Sequence, residues 1–110
     1  MSDSLVEKLT FASFAPLIQT RFQVEFNPER SVELELTAAT EIQPPGGPEK
    51  LSQEAFSLLF TGPETPFLPQ GTYWFRHDRI GRFSLFLVPV GKQAGQIEYQ
   101  VIFNRLIRAD

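Results

Sequence analysis

Between Arg21 and Leu36 the chain alternates apolar and polar residues almost without exception. Phe22, Val24 and Phe26 are separated by Gln23 and Glu25, and Val32, Leu34 and Leu36 by Glu33 and Glu35. A period of two places each apolar set on one face of an extended strand. The stretch therefore predicts two half-buried strands around Asn27-Pro28-Glu29-Arg30. For both sets to share a face, the numbers of opposed residues must sum to an even value. Phe26 is then expected opposite Val32 and Val24 opposite Leu34, and a plain two-residue hairpin is excluded. The same pattern returns later. Tyr73 and Phe75 oppose Trp74 and Arg76; Phe83, Leu85 and Leu87 oppose Phe86 and Val88; Ile97, Tyr99, Val101 and Phe103 oppose Ile102. Phe75 is expected to face Phe83 around Asp78-Arg79-Ile80-Gly81, and Leu87 to face Tyr99 around Gly91 to Gly95. Residues 51–60 fit two periods: Leu51, Ala55, Leu58 and Leu59 suit a helix, Phe56, Leu58 and Phe60 a strand. The abrupt stop at Thr61-Gly62-Pro63 favours a strand over 55–60.

Before Arg21 the period is helical, with Phe11, Phe14, Ala15 and Ile18 on one side. Pro16 confines the helix to a short piece over 10–19 with Ser13 as its N-cap. We expect it to lid one end of the sheet. Residues 1–9 hold a capping-box spacing at Ser4 and Glu7 but are too short to stand alone, and are expected to be flexible. Pro44-Pro45-Gly46-Gly47-Pro48 marks an exposed loop, and a second Pro-rich loop spans 61–71. Three hairpins with mutually consistent facing predict one all-β domain over 1–110, its β region at 21–107 and a short helix before it. The architecture read is an antiparallel meander of about six strands, closed as a small barrel or stacked as a sandwich.

Composition sharpens this picture. The 110 residues hold 11 Phe against one Trp and two Tyr, so the core is aromatic. A net charge of −3 and the lack of a basic stripe argue against nucleic acid and against electrostatic membrane binding. Cysteine is absent, which excludes disulfides and thiolate chemistry. No cofactor is expected. The N-terminus lacks the basic and apolar regions of a secretory signal, so the expected location is the cytoplasm, with export inside a larger assembly left open.

Candidate chemistry is sparse. His77, the single histidine, shares a strand face with Tyr73, while Asp78 points the other way and is no obvious orienter. A structural histidine is the first reading; catalysis with a carboxylate is the last. Tyr73, His77 and Tyr99 together suggest a small-ligand pocket at a barrel mouth. Glu33 and Glu35 share an outward face, with Glu25 expected opposite Glu33 as an acidic ladder. Solvation explains such a ladder most simply; calcium or a basic partner are alternatives. Arg76 and Arg82 are expected to be opposed, with Arg79 at the tip. This basic spot suits the acidic ladder of a neighbouring copy, a heterologous contact that builds rings or filaments. Trp74, Phe86, Val88 and Ile102 decorate the second face. Either the N-terminal segment or the 61–71 loop covers them, or they form a partner interface.

The segments LTFASFAPLIQTRF (Leu9 to Phe22), SVELELT, FSLLFTGP, LPQGTY, His77, LFLVPVG and the closing YQVIFN, taken in order, resemble the bacterial family designated domain of unknown function 6916. The match runs over nearly the whole chain. Gln19 stands where the family pattern has Gly, a departure that touches a turn. The resemblance implies an all-β bacterial domain, and neighbourhood to phage-tail-like proteins implies a structural or accessory subunit. The reading is thus a non-catalytic interaction or assembly domain, with a protein partner or self-assembly. The alternatives are a small-ligand-binding barrel and an enzyme using His77.

Overall fold

The computed structural model describes residues 9–42 and 51–108, with side chains described for 9–42 and 55–103. Ser4, Glu7 and the Pro44–Pro48 breaker lie outside the described residues. Leu9, placed with the flexible end from sequence, is buried in the core.

Helix α1 (Phe11–Phe14) passes directly into a 3₁₀ turn (Ala15–Leu17). Thr10, not Ser13, is the N-cap; Ser13 sits three residues inside and its Oγ accepts the Thr10 N–H at 3.0 Å. Pro16 falls at the start of the 3₁₀ turn, where a missing N–H costs no hydrogen bond. Six strands follow: β1 (Arg21–Asn27), β2 (Arg30–Glu41), β3 (Leu51–Pro63), β4 (Gly71–His77), β5 (Gly81–Gln93) and β6 (Gln96–Arg108). The strand reading of 55–60 is right, and the strand is longer at both ends. Among the described residues no helix is long and apolar enough to cross a membrane.

The strands close into an antiparallel barrel in the order β1-β2-β3-β6-β5-β4, so the barrel and not the sandwich is the form adopted. A single meander would place β3 beside β4. Instead there are two three-stranded meanders, joined where β3 pairs with β6 and β1 with β4. The β3–β6 ladder runs from Leu51↔Arg108 to Pro63↔Gln96. Facing arguments see only strands joined by a turn, so these two long-range seams lay outside their reach.

Two of the three expected registers are corrected by two residues. Val24 faces Val32 and Phe22 faces Leu34. Asn27 pairs with Arg30 across a two-residue turn, and a bulge between Glu25 and Asn27 restores the facing that an odd-length connection was expected to supply. The Asn27 Oδ1 accepts the Glu29 N–H at 2.9 Å within that turn. Pro89, not Leu87, faces Tyr99, because a bulge between Pro89 and Gly91 shifts the β5–β6 ladder. Its hairpin turns on Ala94 and Gly95, both at positive φ (55° and 80°), the geometry whose twist matches the flanking strands. Phe75 faces Phe83 and Arg76 faces Arg82, as expected.

The inward residues form one aromatic core. Phe22, Phe60, Phe75 and Phe83 contact one another in edge-on, tilted or stacked pairs, with centroids 5.3–6.5 Å apart. Phe14, fully buried, drops from α1 between Phe22, Phe56, Phe83 and Phe103 and plugs one end. Among the described residues no charged side chain is buried.

Candidate functional site

His77 ends β4. Its Nδ1 accepts the Arg79 backbone N–H at 3.0 Å, and its Nε2 lies 2.8 Å from the Thr20 hydroxyl. That hydroxyl already donates its only hydrogen to the Leu17 carbonyl at 2.6 Å. Nε2 must therefore carry the ring proton and donate to Thr20. The imidazole is held as one neutral tautomer with both nitrogens occupied, and its ring lies 4.4 Å from that of Phe22. Burial lowers its pKa below the ordinary value, Asp78 opposes this, and Arg79 adds to it. The ring clamps the end of β4 and its turn to the segment leading into β1.

The expected pocket of Tyr73, His77 and Tyr99 does not form as one site. Tyr73 and His77 share a strand face but stand four residues apart, roughly 13 Å along the strand. Tyr73 donates its hydroxyl to the Pro69 carbonyl, and the Tyr99 hydroxyl accepts the Leu68 N–H at 3.1 Å. The two tyrosines thus pin the 61–71 loop at one end of the barrel, while His77 pins the turn at the other. Burial is the main cause raising both phenol pKa values, with Tyr99 adding to the effect on Tyr73.

The charged groups close on each other within one molecule. Glu25 faces Ser31 and Trp74, not Glu33, because of the bulge that follows it. The β1–β4 seam brings Glu25 to the two arginines. Arg82 donates Nε and Nη2 to its two oxygens at 3.1 Å each, and Arg76 donates Nε at 3.1 Å. Arg82, then Arg76, holds the Glu25 carboxyl below its usual range. The Glu25-to-arginine contact expected between neighbouring copies is therefore made inside the barrel wall. Glu33 accepts from Gln23 at 3.1 Å and lies 3.6 Å from Arg21, and Glu35 pairs across from Arg21 on the ladder. Among the described residues no group of three or more acidic or histidine side chains is arranged to hold a metal ion. Both sides of this contact were legible, the arginines as a hairpin pair and Glu25 in the acidic ladder; that they meet within one molecule was not, since nothing local links β1 to β4.

A surface cleft of about 620 Å³ opens beside these groups. Its lining includes Arg21, Arg76, Arg79 and Arg82 together with His77, Glu33 and Asp78. Sequence reading named three of its arginines but not Arg21.

On the outer face, Trp74, Phe86 and Ile102 are 45%, 51% and 56% exposed, and Val88 is half-buried. Arg82 lies over the Trp74 ring at 4.0 Å. Phe67 and Val90 are exposed as well. The loop expected over 61–71 is bounded by β3 and β4 at 64–70 and does not cover these side chains, since its Leu68 turns inward to the core; residues 1–8, the other expected cover, lie outside the described residues.

Fold and site together define a small closed antiparallel barrel with an aromatic interior and its polar groups engaged at the two rims. The family model described as domain of unknown function DUF6916 matches residues 9–103, and the chain belongs to that family. No curated protein and no solved structure matches the chain.

Proposed function

We propose that this domain is a non-catalytic interaction module whose contact surface is the outer face of β4, β5 and β6. The observation that carries the reading is the simultaneous exposure of Trp74, Phe86 and Ile102 on those three strands, outside a core that already holds most of the strands' other large apolar side chains. Exposed aromatic and aliphatic side chains grouped on adjacent strands favour burial against another surface. The Arg82 guanidinium over Trp74 supplies the mixed aromatic and cationic character common at interface centres. The occupant we take first is a second copy of the chain. The setting we take, a phage-tail-like bacterial assembly, follows from the family resemblance.

The reading is supported against the enzyme alternative by His77, whose two nitrogens are committed to Thr20 and Arg79. It is supported against a ligand-binding interior by the aromatic packing of the barrel, where Tyr99 and six Phe side chains are among the largest fully buried groups. Light scattering on a size-exclusion column tests it. A mass that rises with concentration and persists in high salt is expected, because the arginines and Glu25 are paired internally and the contact is apolar. A monomer of 12.5 kDa at every concentration would overturn self-association.

A further inference from the structure

The arginine cleft holds donors that the internal ion pairs leave over. Arg76 uses only Nε on Glu25, so both of its terminal nitrogens are without a partner among the described residues. Arg82 uses Nε and Nη2 and keeps Nη1. The Arg79 guanidinium makes no ion pair among the described residues, yet its backbone is fixed by the His77 ring, which Thr20 anchors in turn. Glu25 holds the heads of Arg76 and Arg82, and the histidine clamp holds the turn that carries Arg79. Two of the three guanidinium heads are thus positioned before any ligand arrives and the third is carried on a fixed turn, which reduces the entropy lost on binding.

We propose that this cleft binds a phosphate group, with Arg79 and the free terminal nitrogens of Arg76 and Arg82 as its donors. A carboxylate already occupies the planar fork of Arg82 in the form of Glu25. The donors that remain are spread over three guanidinium groups, which suits a tetrahedral group with three acceptor oxygens and up to two charges. Glu33 and Asp78, which also line the cleft, oppose an anion and keep the affinity modest, on the order of millimolar. Arg82 also lies over the Trp74 ring and is shared with the apolar face; Arg79, which the interaction reading does not use, keeps the test of this site distinct from that reading.

Sodium phosphate titrated into ¹⁵N-labelled protein, followed by amide shifts and set against sodium acetate at matched ionic strength, tests it. Saturable shifts centred on His77, Arg79 and Gly81 are expected, with acetate about tenfold weaker because it offers fewer oxygens and less charge. Arg79→Gln should weaken phosphate about fivefold or more, whereas Lys92→Gln, the same charge change at a distant hairpin, should not. A phosphoserine peptide that binds more tightly than inorganic phosphate would assign the group to a modified chain; equal binding would assign it to free phosphate. Indistinguishable responses to phosphate and acetate, or an Arg79→Gln protein that titrates like the parent, would overturn the proposal.

Discussion

At the scale of single residues, His77 and Gln19 show how a fold fixes a side chain's role. Sequence marked His77 as the one titratable group in the neutral range. The hydrogen bonds to Thr20 and Arg79 turn it into a clamp. Its folded pKa lies below the ordinary 6.5, so the unfolded chain binds the proton more readily. Stability then rises with pH; the contribution is complete above the unfolded value and is lost as pH falls below 6.5 towards the folded one. Urea unfolding at several pH values should show this loss as pH falls below 6.5, and His77→Gln should flatten it. The Glu25 effect is separable, because its lowered carboxyl gives stability that disappears only as pH falls below its ordinary 4.5. Gln19 holds φ at 75°, a left-handed conformation that glycine adopts without strain. Its N–H donates to the Leu36 carbonyl at 2.7 Å, which keeps it there. Gln19→Gly is therefore expected to raise stability by about 0.5–1 kcal/mol, read as an upward shift of the thermal midpoint. An unchanged or lower midpoint would show that the turn is not strained.

At the scale of elements, the short helix matters through one side chain. Four residues of α1 are too few to be stable alone. Phe14, wholly buried among four aromatic rings, holds the segment on the barrel. Phe14→Ala should cost about 3–5 kcal/mol, measured by denaturant unfolding, since the plug cannot be replaced by collapse of a rigid barrel end. Gly62 on β3 is fixed by packing: a Cβ there would run into the Leu34 side chain of β2. Gly62→Ala is expected to destabilise by about 1–3 kcal/mol as Leu34 is displaced. The strands were legible because alternation of Phe, Val and Leu with charged residues has a period that only an extended chain satisfies. The registers of β1–β2 and β5–β6 were less legible, because a bulge adds a residue to one strand without leaving a distinctive pattern at Phe26 or Val90. The β4–β5 register was readable since no bulge interrupts it.

At the scale of the whole molecule, the closure and the site share one cause. The β1–β4 seam closes the barrel and also brings Glu25 to Arg76 and Arg82. Neither event is written in adjacent residues, so the same charges read from sequence as an intermolecular contact. The β3–β6 seam is likewise long-range, and it places Ile102 beside Ser57 on the outer wall. The outward facing of Trp74, Phe86 and Ile102 was readable from alternation alone; their exposure depended on where the 61–71 loop goes. That loop is drawn to the barrel end by Leu68 and by the two tyrosine hydroxyls. Trp74, Phe86 and Ile102 thereby remain exposed on the outer wall.

The measurement that bears most directly on this account is sedimentation velocity of the parent protein beside the Phe86→Ser/Ile102→Ser double variant, over the same concentration series. Both changes are on exposed positions, so the variant should fold with an unaltered circular dichroism spectrum. The account predicts a parent that associates as concentration rises and a variant that remains monomeric. Association of equal strength in both proteins would contradict it, because the interface would then lie on another face; a parent that stays monomeric throughout would remove self-assembly altogether.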